Sequence, residues 1–177
     1  MLSEHLVYSL AIGLAFGAVY QRFTGRNYWW IIVASAFVPD MDLIADSALK
    51  MFGITVLVFG APIDHGHFHN ILVMLFYAVV VAFLLHPLGI RLIDSFIFAL
   101  VGFAAHMFED ALVANPAYPF LYPLTIRRFG IGFFHYHADI FAVADREVLI
   151  AGIILVMIAL AMRRALAGDA ATKRSPK

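Results

Sequence analysis

Acidic and histidine side chains recur at the ends of apolar segments, where a membrane protein rarely keeps them. Asp40 and Asp42 stand in V-P-D-M-D, three histidines stand in D-H-G-H-F-H-N, and His106 and Asp110 stand in A-H-M-F-E-D. His5 adds a fourth element near the start of the chain. A charged group at bilayer depth is costly, so such residues usually mark a functional site. Aspartate and histidine are also ligands of divalent metals. The sequence therefore predicts a metal centre.

The pair His106 and Asp110 has an H-x-x-x-D spacing within a predicted helix. Residues four apart share one helix face, so both side chains could bind one metal ion. The alternative is a polar pair at a frayed helix end, although an unpaired carboxylate in a membrane span is costly. Glu109 falls on another part of the helix, and we expect it to face solvent or lipid headgroups.

Three histidines lie within one short segment, at His65, His67 and His69. In a helix His65 and His69 share a face, whereas in an extended segment all three do. Asp64 precedes them and is a candidate ligand, or an acceptor that fixes a histidine tautomer. The alternative is a polar loop at the membrane interface.

Asp40 and Asp42 follow Pro39. Because proline disfavours helical geometry at the residue before it, we expect the helix to end or kink at Val38. In a non-helical stretch, residues two apart can point the same way, so both carboxylates could bind metal. Alternatively, they cap the end of the span near the headgroups.

Together these segments define a predicted site. The favoured metal ligands are His5, Asp40, Asp42, His69, His106 and Asp110, followed by His67. Asp64 and His65 are the predicted catalytic residues, with Asp64 as a general base. Without thiolates the donor set suits zinc, and manganese or iron is also compatible. His135, His137 and Asp139 repeat the spacing, and are interpreted either as a second metal site or as an aromatic interfacial loop.

Composition places this site in a membrane. Of the 177 residues, 63% are hydrophobic and only 14% are charged, against about 45–50% and about 25% in ordinary globular domains. The formal net charge is zero, so nothing indicates a nucleic acid partner. Cysteine is absent, which excludes disulfides, thiolate zinc sites and a cysteine nucleophile.

Five apolar runs are predicted to cross the membrane, since a spanning helix needs about 20 residues. They cover residues 6–20, 28–44, 70–85, 92–113 and 148–162. Two shorter runs, 51–61 and the proline-rich 114–124, are predicted to be re-entrant or interfacial segments on the outer face. The predicted fold class is an all-α integral membrane bundle of about five transmembrane helices. Residues 1–166 form its single domain, and residues 167–177 form a disordered basic cytoplasmic tail.

The basic residues predict the orientation of this bundle. With five spans, one side carries Arg22, Arg26, Arg91, Arg163, Arg164, Lys173, Arg174 and Lys177. The other side carries Lys50, Arg127, Arg128 and Arg146. The first side is then cytoplasmic, so the N-terminus and the predicted metal site lie outside. This prediction fails if residues 51–61 cross the bilayer.

The order of the motifs resembles the YdjM-like family of membrane-bound metal-dependent hydrolases. The resemblance covers most of the chain, from the N-terminal histidine to a Y-P pair. The family's loop reads roughly H-R-G-x-T-H-S. Gly66 and His69 match it, whereas Asp64 and His65 replace its first histidine and its arginine. The resemblance implies metal-dependent hydrolysis within the membrane.

The predicted function is hydrolysis of a phosphoester or other ester of a lipid or lipid-linked substrate at the outer headgroup layer. A metal ion held by such side chains activates water at neutral pH. Arg127 and Arg128 could bind phosphate there, or could snorkel toward the interface. Two alternatives are a metal or proton transporter, which should place ionisable groups near the midplane, and a non-catalytic protein with a structural metal. The sequence leaves the oligomeric state open.

Overall fold

The computed structural model describes residues 2–58, 61–62, 66–113, 118–132 and 146–172. The helices are α1 (Leu2–Thr24), α2 (Trp29–Ser35), α3 (Met41–Met51), α4 (Ile71–Leu85), α5 (Leu92–Val113) and α6 (Arg146–Thr172). A short antiparallel pair, β1 (Leu57–Val58) and β2 (Ala61–Pro62), follows α3, and one 3₁₀ turn, His86–Leu88, follows α4. Helix α6 therefore continues into the predicted tail and ends at Thr172.

Long apolar helices dominate the fold, which confirms the predicted all-α membrane class. Among the described residues, four helices are long and apolar enough to cross a membrane: Glu4–Thr24, Ile71–Leu88, Leu92–Leu112 and Val148–Ala167. Helix α1 packs against α2, α5 and α6, and α5 also packs against α2 and α4. Helix α5 is therefore the central element of the bundle.

The second predicted span, residues 28–44, is not one regular helix. It divides into α2 and α3, with turns over residues 36–40. Pro39 lies fully buried in these turns. Proline lacks an amide hydrogen and disfavours helical geometry before it, so the helix breaks as predicted, although it already ends at Ser35. The number of helices of spanning length is consequently four within the described residues, rather than five.

Although it is not one regular helix, the segment of residues 28–44 runs back along α1 in the opposite direction. At its start, the carbonyl oxygen of Trp29 lies against Gly13, in the middle of α1. At its end, Asp40 lies close to His5, in the first turns of α1. The segment therefore brings the chain back from the Thr24 end of α1 to its His5 end, which is where the candidate ligands gather.

The centre of the bundle is apolar and tightly packed. Phe98 is fully buried and contacts the rings of Phe16, Tyr20 and Tyr28 edge to face. Gly102 lets α2 approach α5 closely, because an added methyl group would collide with the carbonyl oxygen of Ile32. This packing separates the two ends of the bundle.

At the end of the bundle opposite the candidate ligands, one buried carboxylate links α5 to α1 and to the segment after α1. Asp94, in the first turn of α5, accepts a hydrogen bond of 2.6 Å from the hydroxyl of Tyr20. Its other oxygen lies 2.6 Å from Nε of Arg26. Asp94 is fully buried, and it pairs with α1 and with the segment after α1.

Residues 51–58 do not carry the chain across the bundle. Asp42 precedes this run and Gly66 follows it, yet the backbone amide of Gly66 donates a hydrogen bond of 2.8 Å to Asp42 Oδ2. Both residues therefore lie at the same end. Residues 51–57 are exposed throughout.

Candidate metal centre

Five of the predicted ligands meet at one end of the bundle. Nε2 of His69 lies 3.1 Å from Asp110 Oδ2 and 3.6 Å from Asp40 Oδ1. Nε2 of His106 lies 3.3 Å and 3.5 Å from the same two oxygens. The two Nε2 atoms are 3.2 Å apart. His5 completes the set, with its Nε2 atom 3.5 Å from Asp110 Oδ1.

These distances fit a metal ion. Tetrahedral zinc with bonds of about 2.0–2.1 Å holds neighbouring ligand atoms about 3.3–3.4 Å apart. The five distances among the facing atoms of His69, His106, Asp40 and Asp110 run from 3.1 to 3.6 Å. His69, His106 and Asp110 thus form one group whose ligand atoms lie close enough together to hold a metal ion, and His5, Asp40 and His106 form a second such group. Either group could hold a divalent ion.

Four of the five side chains in this set are buried, and one is partly exposed. The side chains of His69 and His106 are fully buried, and those of Asp110 and His5 are 3% and 5% exposed. Asp40 is 27% exposed. The ring of His5 also stacks on that of His106, with centroids 4.1 Å apart. Solvent or a substrate therefore reaches the set at Asp40.

Comparison with known proteins shows the family of this chain. The YdjM inner membrane protein family matches residues 1–170. The chain belongs to this family. No curated protein and no solved structure matches the chain significantly. Family membership therefore supports an inner membrane protein, and the chemistry must be argued from the site.

The loop that carried the YdjM resemblance is shaped by its glycine. Gly66 has a φ of +106°, which side chains other than glycine rarely adopt. The Tyr118 ring lies directly against it, so a Cβ atom at this position would collide with the ring. His69 follows, and Asn70 caps α4 by accepting a hydrogen bond of 3.0 Å from the amide of Val73. The loop thereby holds His69 at the start of α4.

Asp42 does not face the other predicted ligands. Its Oδ2 atom accepts hydrogen bonds from the amides of Gly66 and Phe68, at 2.8 and 3.3 Å. The same oxygen lies 3.5 Å from Nδ1 of His69, on the side of the ring opposite Nε2. The two aspartates diverge because α3 begins at Met41, directly after Asp40. In this position Asp42 shapes the loop and contacts the back of a ligand ring.

The other candidates lie beyond the cluster or outside the described residues. His67 is partly exposed, and its carbonyl oxygen accepts a hydrogen bond of 2.7 Å from the side chain of Asn70. The predicted catalytic residues Asp64 and His65 lie outside the described residues, as does the second predicted group, His135, His137 and Asp139. Their predicted roles therefore stay predictions.

The electrostatics outside the spans reflect this crowding. Burial alone would lower the pKa of His69, but the carboxylates of Asp110, Asp40 and Asp42 outweigh it and raise the pKa to about 10. Burial likewise disfavours ionised Asp40, but its contacts with His106 and His69 hold the pKa of its carboxyl well below the usual range. The carboxylates are thus stabilised by a nearby positive charge, which protonated imidazole or a metal ion can supply.

Two residues near the cluster were missed or misjudged in the sequence. The ring of Tyr118 lies 4.2 Å from that of His69, and burial together with the nearby aspartates raises the pKa of its hydroxyl. Tyr118 is one of two tyrosines in the proline-rich run 114–124, and nothing in the sequence distinguished it. The prediction for Glu109 was wrong, because it is only 8% exposed and its Oε2 atom lies 2.7 Å from His5 Nδ1. Its burial could have been predicted, because a carboxylate within an apolar spanning helix usually faces the interior of the bundle and has a partner.

Proposed function

We propose that this chain is a membrane-embedded, metal-dependent hydrolase. Its substrate would be a phosphoester or other ester of a lipid or lipid-linked compound, cleaved in the headgroup layer on the outer side of the inner membrane. One observation carries the proposal. The buried His–Asp cluster opens to its surroundings at one ligand, Asp40, which is 27% exposed. A catalytic metal site keeps one coordination position open beside three protein ligands, whereas a structural site is closed by four. The groups His69, His106, Asp110 and His5, Asp40, His106 each have three ligands and so leave such a position.

The residues of the cluster would divide the work. His69, His106 and Asp110 would hold an ion from the buried side, and His5 and Asp40 would hold one together with His106 at the more exposed side. Either group leaves a coordination position for water. A bound divalent ion would supply a nucleophile from water at neutral pH and would polarise the scissile ester. The donors are imidazoles and carboxylates, with no cysteine in the chain. Zinc suits them best, and manganese or iron is also compatible.

The surroundings of the cluster favour a lipid substrate. Helix α3 begins beside Asp40, and several of its exposed side chains are apolar: Met41, Ile44 and Met51 are 44%, 59% and 76% exposed. Residues on one face of a helix recur every three or four positions, so these three form a stripe. Such a stripe suits the boundary between headgroups and acyl chains. A lipid could then present its headgroup at Asp40 without leaving the leaflet.

Basic side chains near the same end would meet a phosphate. Arg128 precedes Phe129, whose amide donates a hydrogen bond of 3.0 Å to the carbonyl oxygen of Tyr118, the residue that packs on His69. Arg127 is exposed, and its guanidinium lies 5.8 Å from the centre of the Phe129 ring. Guanidinium groups bind phosphate oxygens in a bidentate manner. We assign to these arginines the recognition of the headgroup, and to Asp64 and His65 the proton transfers.

A transporter fits the geometry less well. His106 lies twelve positions after Asp94 in α5, which corresponds to about 18 Å along a helix. Phe98 and Phe103 fill this interval and are fully buried. A transport path should instead line the midplane with polar groups. A structural metal is the stronger alternative, because it would use the same buried ligands.

The decisive experiment is metal analysis followed by activity assays on the purified protein in lipid nanodiscs. We expect about one or more divalent ions per chain, a stoichiometry typical of hydrolytic metal sites. We also expect hydrolysis of a phospholipid, a lipid-linked phosphate or an aryl phosphate, lost with a chelator and restored with added zinc. A folded, metal-loaded protein that cleaves none of these esters would favour the structural metal. A protein without bound metal would contradict both.

A further inference from the structure

Glu109 is a buried carboxylate that the proposed metal set does not use. It lies in the penultimate turn of α5, next to Asp110, and only 8% of it is exposed. Its Oε2 atom is 2.7 Å from Nδ1 of His5, and the two side chains are 10% and 5% exposed. Burial of a carboxylate is costly unless a partner compensates it. Among the described residues, Oε1 of Glu109 makes no hydrogen bond, so His5 is its compensating contact.

The two nitrogens of His5 face two consecutive residues of α5. Nδ1 faces Glu109, whereas Nε2 lies 3.5 Å from Oδ1 of Asp110, on the side of the cluster. A carboxylate can only accept, so Nδ1 of the ring carries the hydrogen and donates it to Glu109. The lone pair of the neutral ring is then on Nε2, which faces the cluster. The stacking of the ring on His106 limits its rotation further.

We infer that Glu109 is a positioning residue that fixes the tautomer and orientation of His5 so that Nε2 is presented to the metal. The inference rests on the proposed metal function and deepens it. Imidazole ligands commonly donate their second N–H to a carboxylate, and loss of that partner weakens metal binding about 10–100-fold. Here the partner also joins α5 to α1. The first turns of α1 thereby become part of the metal centre.

The test compares metal affinity in four single variants and one double variant. Glu109→Gln removes the charge but keeps an acceptor oxygen, whereas Glu109→Ala removes both. His5→Ala removes the ligand, and Asp94→Asn is the matched control. Asp94 is also a buried carboxylate of α5, but it lies at the opposite end. Cobalt(II) is titrated into the chelator-treated protein in nanodiscs. We expect about a 10–100-fold loss of cobalt affinity for Glu109→Ala, a smaller loss for Glu109→Gln, and no loss for Asp94→Asn.

Two further readouts separate positioning from a general effect on folding. The visible absorption bands of bound cobalt should change in Glu109→Ala and His5→Ala in the same way, because both lose a properly oriented His5. In the His5→Ala background, Glu109→Ala should change the affinity less than twofold. If it still weakens binding tenfold, or if Asp94→Asn weakens binding equally, Glu109 does not act through His5 and the inference is wrong.

A nuclear magnetic resonance measurement tests the contact without any metal or activity. With ¹⁵N-labelled histidine, the wild type should show a slowly exchanging Nδ1 proton on His5 that shifts in Glu109→Gln. If the wild type binds no metal, the proposed function is contradicted. The contact between Glu109 and His5 is then tested by the Nδ1 proton resonance alone. Absence of the Nδ1 proton in the wild type would contradict the role of Glu109, whatever the activity.

Discussion

Nε2 of His69 and Nε2 of His106 lie 3.2 Å apart, although one residue precedes α4 and the other lies deep in α5. At this distance the two nitrogens cannot both donate a hydrogen, and two bare lone pairs would repel each other. A shared proton or a shared cation satisfies both. Both imidazoles also contact the carboxylates of Asp40 and Asp110. The cluster is therefore expected to bind a cation as one unit.

Replacing His106 and Asp110 together with alanine should remove most of the bound metal. These residues supply two of the four facing atoms and both come from α5. We expect the metal content, measured by elemental analysis of the purified protein, to fall to near background. Circular dichroism of the same sample checks that the helices persist. A double variant with the wild-type metal content would show that these residues are not ligands.

Asp40→Asn should lower turnover at least about tenfold while the protein stays folded, because it removes a ligand charge at the open face. The change is nearly isosteric, so packing around the turns of residues 36–40 is kept. The measurement is the rate of ester hydrolysis at saturating zinc, together with the melting temperature. If Asp40→Asn melts earlier but hydrolyses the ester at the wild-type rate, Asp40 supports only the fold.

The metal-free protein should be most stable between about pH 4 and about pH 6.5. The pKa of His69 is raised to about 10, above its unfolded value of about 6.5. Its contribution is therefore complete below about pH 6.5 and is lost as the pH rises through about 10. The pKa of Asp40 is lowered, so its contribution is complete above the unfolded value of about 3.9 and is lost as the pH falls.

Thermal melting of the chelator-treated protein across this pH range measures the loss of stability toward acidic pH (the acidic limb) and toward alkaline pH (the alkaline limb). His69→Gln should flatten the alkaline limb, because the group whose ionisation changes is gone, and it should leave much of the acidic loss in place. An alkaline limb of unchanged steepness in His69→Gln would assign that loss to another group.

Much of the site was predictable from residue type and helical spacing. His106 and Asp110 share a face because α5 is a regular helix, and the spacing determines this. Asp40 and Asp42 have the same chemistry but diverge, because a new helix starts between them at Met41. Proline predicted a break near Val38 but not where helical geometry would resume. Such a restart depends on tertiary packing, which the local pattern does not contain.

The role of Glu109 could not be predicted from α5 alone. Helical spacing separates it from the face of His106 and Asp110, which suggested an exposed side chain. Its partner is His5, more than one hundred residues away in α1. Only the antiparallel packing of these two helices brings the residues together. Long-range pairing of this kind is the part of the site that a single sequence did not reveal.

Gly102→Ala should destabilise the bundle by about 1–3 kcal/mol, as expected of overpacking. The added methyl group would collide with the carbonyl oxygen of Ile32, which is backbone and cannot move aside easily. Ala104→Val is the matched control, since Ala104 is exposed on the same helix. The melting temperature in detergent measures the effect. Equal melting of wild type and Gly102→Ala would mean that α2 and α5 pack less closely than described.

A tryptophan at position 44 should sit among lipids. Ile44 is 59% exposed on the apolar stripe of α3. In a background with Trp29 and Trp30 changed to phenylalanine, the fluorescence of Ile44→Trp should be quenched by lipids that carry a nitroxide near the top of the acyl chain. Lys50→Trp, on a different face of α3, serves as the control and should be quenched more by aqueous acrylamide. The reverse pattern would place the stripe in water.

The brevity of α2 has a consequence for biosynthesis. Its seven residues extend about 10 Å, far less than the roughly 30 Å of a hydrocarbon core, and the segment leads into two aspartates. A nascent segment of this kind cannot partition into lipid by itself. We expect it to enter together with α1, along which it packs. The proposed metal centre would then be complete only after α5 has been translated, so chain integration would precede acquisition of the ion.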